Sequence, residues 1–228
     1  MSTRRRMFCG ASLKIKNLPI GSKIQFSNGE IYELMGKNLE GHEEGSATFL
    51  SENIVDNVVI VPEGALYNSI PYHQTSVFKS MSKYYDQLTD VEKSALILRE
   101  HIYCQESDGS YVERRINSYF DLPSYSEMDQ TTKPRYSKEG TYLGFVNNEK
   151  KIKLNKSGVP TRYLMRTMSY GNVWNEHFWS FVGKNGTPSL NSSRLNGGSK
   201  SAIALVCDIY QKASVVKQAN GTYKIVGI

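Results

Sequence analysis

The first third of the chain alternates short apolar runs with turn signals. The runs lie at residues 21–26 (GSKIQF), 30–38 (EIYELMGKN) and 46–55 (SATFLSENIV). Runs of this length, bounded by polar and glycine-rich segments, are typical of β-strands. Residues 27–29 (Ser-Asn-Gly) separate the first two runs, and Asn-Gly accepts the positive φ angles of a tight hairpin turn. We therefore predict short strands here, with the first two joined in a hairpin.

The pattern becomes helical in the middle third. In residues 76–88 (SVFKSMSKYYDQL), apolar side chains recur three or four positions apart, and Ser76 is placed to cap the N-terminus of a helix. The spacing predicts a helix whose buried stripe consists of Val77, Met81, Tyr84 and Leu88.

Two capping-box patterns follow, one at Thr89 and Glu92 and one at Ser124 and Glu127. In such a box a hydroxyl and a glutamate three residues later satisfy free backbone N–H groups at a helix start. We predict a second and a third short helix at these positions, and the first two helices should pack on one face of a sheet. For the second helix we expect a buried stripe of Val91, Ala95 and Leu98.

Strand patterns return in the last third. Residues 201–209 (SAIALVCDI) form a continuous apolar run, which predicts a buried and central strand. Residues 214–226 (SVVKQANGTYKIV) contain an Asn-Gly turn, and residues 183–186 are bounded by glycines, so we predict two hairpins. The order β-rich, helical, β-rich indicates an α+β fold. We predict one domain over residues 13–228 whose two ends meet in one sheet.

Both tryptophans of the chain fall in residues 172–190 (NVWNEHFWSFVGKNGTPSL). A strand in this stretch presents alternate residues to opposite faces, and only one face can be core. We expect Trp179 or Phe181 to be mostly buried. The two sets are His177, Trp179 and Phe181 on one face, and Phe178, Ser180 and Val182 on the other.

The approach to this strand has a different composition. Trp174 lies with Asn172 and Asn175 among polar and glycine residues. Rigid aromatic rings mixed with asparagine are typical of adaptable contact surfaces, including those that stack on sugar rings. Core and contact are both open interpretations for Trp174, and we expect it on an exposed or partner-covered face.

The 228-residue chain has a net charge of +6, with its densest basic cluster at Arg4 to Arg6 and a second at residues 150–156 (KKIKLNK). Residues 1–12 show no strand pattern, and such an arm should order only against a neighbour. We interpret it as an anchor formed by Arg4, Arg5, Arg6, Met7 and Phe8. Nucleic acid is the less favoured partner, because no basic helix or repeated aromatic-basic pattern accompanies the arginines.

Candidate chemistry is sparse. The three cysteines are widely spaced and the four histidines show no metal-binding spacing, so we expect no metal, no cofactor and no disulfide. In residues 41–45 (GHEEG), His42 could hold a metal weakly or lie in a solvated turn, and we favour the turn. No catalytic motif is present, which argues against an enzyme. No apolar run reaches the ~20 residues of a membrane helix, and we expect a soluble protein made in a reducing cytosol.

Five segments in order resemble an uncharacterised domain family of phages and prophages of Gram-positive bacteria. They read LPIGSKIQF, GKNLEGHEEGSATFLSENIV, LTDVEKSALILREHIYCQESDGSYVERRINSYFDLPSYSEM, TRYLMRTMS and SAIALVCDIYQKASVVKQANGTYKIV. The family comprises tail or appendage proteins and domains of unknown function, and its members resemble the C-type-lectin-like fold. Arg4 to Met7 also match a short basic arm that many members carry.

The resemblance implies a single C-type-lectin-like domain of mixed and antiparallel sheets with two or three short helices. It places residues 167–200 on the displayed face. The candidate binding residues are Tyr170, Asn172, Trp174, Asn175, His177, Asn191 and Arg194.

The implied function is that of a virion structural protein of the tail, baseplate, neck or head, assembled in the bacterial cytoplasm. Other virion proteins would then be its partners, and self-association within the particle stays open. The alternative is a receptor-binding adhesin that recognises a host surface glycan or protein. An enzyme such as a wall hydrolase is the third and least favoured class, because no catalytic constellation is visible.

Overall fold

A computed structural model describes residues 11–59, 75–107, 110–129, 141–171, 176–190 and 200–228, with the backbone alone at 104–107, 110–112, 168–171 and 176–179. Most of the described chain is strand. The strands are β1 (Leu13–Lys14), β2 (Lys23–Gln25), β3 (Ile31–Lys37), β4 (Ser46–Ser51), β5 (Asp56–Val59), β6 (Arg99–Ser107), β7 (Ser110–Ser118), β8 (Lys153–Leu154), β9 (Pro160–Thr161), β10 (Tyr163–Gly171), β11 (Glu176–Val182), β12 (Pro188–Ser189), β13 (Lys200–Ile203), β14 (Val206–Tyr210), β15 (Ser214–Lys217) and β16 (Tyr223–Gly227).

The described helices are short. They are α1 (Ser76–Asp86), α2 (Asp90–Ala95) and α3 (Tyr125–Met128), with 3₁₀ turns at Ile15–Asn17 and Asn148–Lys151. A chain of many strands in mixed and antiparallel sheets with a few helices is α+β, which confirms the predicted class.

The larger sheet joins the two ends of the described chain. Its seven strands lie in the order β1-β15-β16-β2-β3-β4-β14. Leu13 pairs antiparallel with Val215, and Tyr223 pairs parallel with Ile24. Both predicted Asn-Gly hairpins are present: β2 pairs with β3 and β15 with β16, with Gly29 and Gly221 at positive φ. The prediction that the two ends meet in one sheet is therefore confirmed.

A second sheet carries the strand that holds the predicted contact residues. Its order is β12-β11-β10-β13-β5, and two further sheets consist of β6 with β7 and β8 with β9. The glycine-bounded turn at residues 183–186 joins β11 to β12, where Phe181 pairs with Ser189. This confirms the third predicted hairpin.

The apolar run at residues 201–209 is not one central strand, and that prediction is wrong. The chain leaves β13 in the five-stranded sheet and enters β14 at the edge of the seven-stranded sheet. Ala204 and Leu205, between the two strands, are fully buried. The sequence pattern of a buried apolar run is the same whether the run forms one strand or passes through the core from one sheet to the next.

Helix α1 buries its predicted stripe of Val77, Met81 and Tyr84, and Leu88 just beyond it is also buried. The capping residue is Thr75 and not the predicted Ser76: the Thr75 hydroxyl accepts a hydrogen bond from the N–H of Phe78.

Helix α2 differs more from its prediction. The capping box of Thr89 and Glu92 is confirmed, but Val91 is 41% and Leu98 is 52% exposed. Because the helix ends at Ala95, Leu98 does not lie on it. Ala95 is buried as predicted, and so is Glu92. The Glu92 carboxylate accepts hydrogen bonds from the backbone N–H groups of Ser27 (2.8 Å) and Thr89 (2.9 Å). The capping glutamate thus ties the helix to the first hairpin.

Candidate functional site

The predicted binding residues converge on one hairpin, as far as the structure describes them. Strands β10 and β11 pair from Tyr163 and Val182 to Gly171 and Glu176, and the backbones of Tyr170 and His177 lie opposite each other. Asn172, Trp174 and Asn175 lie outside the described residues, as do the remaining candidates and the anchor. These are Asn191, Arg194, Arg4, Arg5, Arg6, Met7 and Phe8.

Strand β11 turns its even-numbered face to the core at its base. Ser180 and Val182 are fully buried, whereas Phe181 is half-buried and lies under the guanidinium of Arg162 at 4.8 Å from the ring centre. We expected Trp179 or Phe181 to be mostly buried. Phe181 is only partly buried, and the side chain of Trp179 lies outside the described residues. The arginine covers the aromatic ring by a cation–π contact.

A bulge in β10 brings charge into the interior. Leu164 pairs with Phe181 and Met168 with Trp179, so residues 165–167 lie opposite the single residue Ser180. Such irregularities re-aim side chains. Here Met165, Arg166 and Thr167 are all fully buried, and Arg166 is the largest fully buried side chain among the described residues.

Arg166 donates hydrogen bonds to acceptors from three other segments. Its Nη1 donates to the carboxylate of Glu127 (2.9 Å) and to the carbonyl of Leu122 (2.7 Å), and its Nε donates to the carbonyl of Ile102 (3.2 Å). Burial alone would raise the pKa of the Glu127 carboxyl. The charges and hydrogen bonds of Arg166 and Arg99 outweigh burial and lower this pKa to about 2.

The charged contacts continue to a second carboxylate. Arg99 donates to Glu127 (3.0 Å), and its Nε lies 3.8 Å from Asp208. Asp208 in turn contacts Nδ1 of His42 at 2.8 Å. We call these five residues (Arg166, Glu127, Arg99, Asp208 and His42) the ion network.

The solvated-turn interpretation of residues 41–45 is wrong for His42. Its side chain is fully buried, and its Nδ1 lies within hydrogen-bonding distance of both Asp208 and the hydroxyl of Thr48 (3.0 Å). Within the described ranges, no group of three His, Cys, Asp or Glu residues is arranged to hold a metal ion.

A second histidine lies close to the network. His101 on β6 is buried, with its Nδ1 3.4 Å from the carboxylate of Asp121. Burial lowers the pKa of His101 well below its usual value, and the positive charges of Arg99 and Arg166 lower it further. The imidazole is therefore neutral at pH 7.

Sequence reasoning missed the ion network. Glu127 was identified only as a capping residue, and that capping box is confirmed. One signal was present in the sequence: Arg166 interrupts the apolar strand pattern of residues 163–168. Long charged side chains at core positions are rare unless they are paired.

Two open grooves lie on the described surface. The aromatic groove has a volume of about 260 Å³ between α1 and the end of β7, where Tyr85 and Tyr119 stack at 4.3 Å. The lysine groove has a volume of about 430 Å³ beside the start of the domain. It is lined by Lys14, Lys16, Glu44, Gly45, Tyr210, Gln211 and Lys212.

Comparison with known proteins found no family model that matches the chain, no curated protein similar to it and no solved structure that matches its fold. None of the helices in the described part of the chain has the length and apolar character to cross a membrane.

Proposed function

We propose that this protein is a structural component of a bacteriophage particle, in the tail, baseplate, neck or head. Residues 1–12 attach it to other virion proteins, and residues 13–228 form a C-type-lectin-like domain that acts by binding and not by catalysis. The ordered resemblance of five sequence segments to the phage family supports this role, and the α+β class is compatible with the proposed fold.

The observation that carries the display role is the buried base of the β10–β11 hairpin. Arg166 holds β10 to three other segments, while strand pairing continues outward to Gly171 and Glu176. The segment 172–175, which joins the two strands, contains three candidate contact residues. Contact residues on a connection that a rigid scaffold positions are the usual arrangement of a binding site.

The chemistry of the interior favours binding over catalysis. The charged groups of the ion network contact one another and backbone carbonyls, and their side chains are buried. Such groups hold segments together, because each charge has a partner of opposite sign.

Deletion of residues 2–10 tests the attachment. We expect the truncated protein to fold and remain soluble, because β1 begins at Leu13, but to be absent from purified particles. The measurement is the amount of protein per particle, with the melting temperature of the truncated protein as the folding control. Incorporation at normal levels would refute the anchor.

A receptor-binding adhesin is the second candidate, favoured by the same hairpin. Trp174→Ala should leave stability unchanged and remove binding of the isolated protein to host cells. Val146→Ala, an 89% exposed apolar position outside the hairpin, is the control. If Trp174→Ala unfolds the domain, the tryptophan is core and the contact face loses its main support.

A further inference from the structure

The lysine groove combines positive charge with a partly apolar floor. Its lining residues include three lysines (Lys14, Lys16 and Lys212) and one glutamate, Glu44. The Nζ of Lys212 lies 5.0 Å from the centre of the Tyr210 ring, and the Nζ of Lys14 donates to the hydroxyl of Ser214 (2.9 Å). Within the described residues, none of these three ammonium groups forms an ion pair.

The excess of three positive charges over one negative charge favours an anionic occupant. In a concave site the fields of the three lysines add, so that a carboxylate or phosphate gains more than it would beside a single lysine. The Tyr210 ring offers a surface on which the methylene groups of an acidic side chain can pack.

The position of the groove favours an extended polypeptide. Among the described strands, β1 is one of the two edge strands of the seven-stranded sheet, and it contributes Lys14 to the groove. Extended peptides add to sheet edges through backbone hydrogen bonds, while neighbouring side chains supply specificity.

We propose that the lysine groove binds an acidic segment of a neighbouring protein in the particle, as a continuation of the N-terminal attachment. This inference rests on the proposed virion role for the identity of the partner, but the groove's preference for carboxylates can be measured without particles. Duplex DNA is the alternative anion, and it enters the test as an opposing outcome.

The binding experiment uses the full-length protein and a fluorescein-labelled peptide of eight glutamates, with fluorescence anisotropy as the readout. The triple variant Lys14→Gln/Lys16→Gln/Lys212→Gln should bind about ten-fold more weakly, because three partly exposed ion pairs are lost. The control is Lys79→Gln/Lys150→Gln/Lys184→Gln, which removes the same charge from exposed lysines outside the groove and should bind like the wild type.

A variant that binds the peptide more tightly than the wild type cannot be explained by misfolding, so it provides a second test. Glu44→Gln removes the one carboxylate of the lining and should tighten peptide binding by about two- to five-fold. All of these affinities should fall as salt is raised from low to physiological ionic strength.

The outcomes separate the groove from the virion role. Equal peptide binding by the two triple variants, or no gain for Glu44→Gln, would overturn the groove proposal. So would a labelled 20-base-pair duplex that binds in the groove more tightly than the peptide. If the groove variants lose the peptide yet incorporate normally into particles, the acidic segment is not a particle protein and the proposal also fails. Absence of the wild-type protein from particles would instead contradict the virion role alone.

Discussion

Replacement of Arg166 by methionine removes the central cation of the ion network while keeping a side chain of similar length. In the wild type, this guanidinium is fully buried and donates to Glu127, Leu122 and Ile102. After the change, Glu127 keeps Arg99 as its remaining charged partner (3.0 Å). The backbone carbonyls of Leu122 and Ile102 also lose a donor. We expect this single change to be among the most destabilising in the domain.

Two quantities set the scale of the cost. Removing one partner of a buried ion pair costs about 3–5 kcal/mol, because the other charge stays buried without full compensation. The pKa of Glu127 lies at about 2, below the ordinary value of 4.5, even though burial opposes ionisation. At about 1.4 kcal/mol per pKa unit, the ionised Glu127 with all its partners, burial included, contributes a net stabilisation of roughly 3 kcal/mol at neutral pH.

Urea denaturation at pH 7, followed by tryptophan fluorescence, measures this loss. With a slope of about 3 kcal/mol per molar urea, the midpoint should fall by about 1 M or more. The matched control is Arg115→Met on β7, where the guanidinium is 57% exposed and bonds Glu100 and Glu113. Exposed ion pairs of this kind contribute little, so the control midpoint should stay close to that of the wild type.

The difference in the free energy of unfolding between the wild type and Arg166→Met should also depend on pH, which provides a second check. In Arg166→Met the pKa of Glu127 should rise, so its carboxyl takes up a proton at a pH where the wild type is still charged. The stability gap between variant and wild type should therefore narrow between pH 7 and pH 4. A midpoint loss no larger than that of Arg115→Met, or a gap that widens on acidification, would refute the role assigned to the network.

Two further predictions concern buried bases. Burial is the main cause that lowers the pKa of His101 below 6.5 in the folded state. As the pH falls below 6.5, the unfolded chain takes up a proton that the folded protein does not, so the free energy of unfolding decreases. His101→Gln should flatten the stability profile between pH 6.5 and 5 in thermal melts; an unchanged slope would contradict the buried neutral imidazole. Burial lowers the pKa of Lys153 to about 8 despite the nearby carboxylates of Glu33 and Glu52, so wild-type stability should rise between pH 8 and 10.5. At pH 7 Lys153→Met should have a higher urea midpoint than the wild type, and this difference should shrink above pH 8. A lower midpoint for the variant at pH 7 would show that the buried ammonium stabilises the fold.

The features that the sequence predicted correctly depend on neighbouring residues. Both capping boxes, at Thr89 and at Ser124, form from residues three positions apart. The turns with Gly29 and Gly221 follow from the local conformational freedom of glycine at positive φ. Such features are determined by a few neighbouring residues and do not depend on contacts with distant parts of the chain.

The incorrect predictions share a different cause. Whether Val91 and Leu98 are buried depends on where α2 ends and on what packs against it. Whether residues 201–209 form one strand depends on where two separate sheets lie. His42 occurs in a segment typical of solvated turns, yet its side chain is buried and contacts Asp208, which is 166 residues away in sequence. Periodicity carries no information about partners at that distance.

The ion network has a consequence for the hairpin that apolar packing alone would not have. A strand that slips by one residue exchanges its two faces, and apolar side chains on both sides of β10 would tolerate such a slip at modest cost. Arg166 has fixed donors directed at Glu127, Leu122 and Ile102, so any other register leaves a buried charge without acceptors. Beyond the bulge that contains Arg166, the pairing keeps one register from Met168 and Trp179 to Gly171 and Glu176. The buried arginine therefore fixes the alignment of β10 at the base of the hairpin, from which the pairing with β11 runs outward to Gly171 and Glu176.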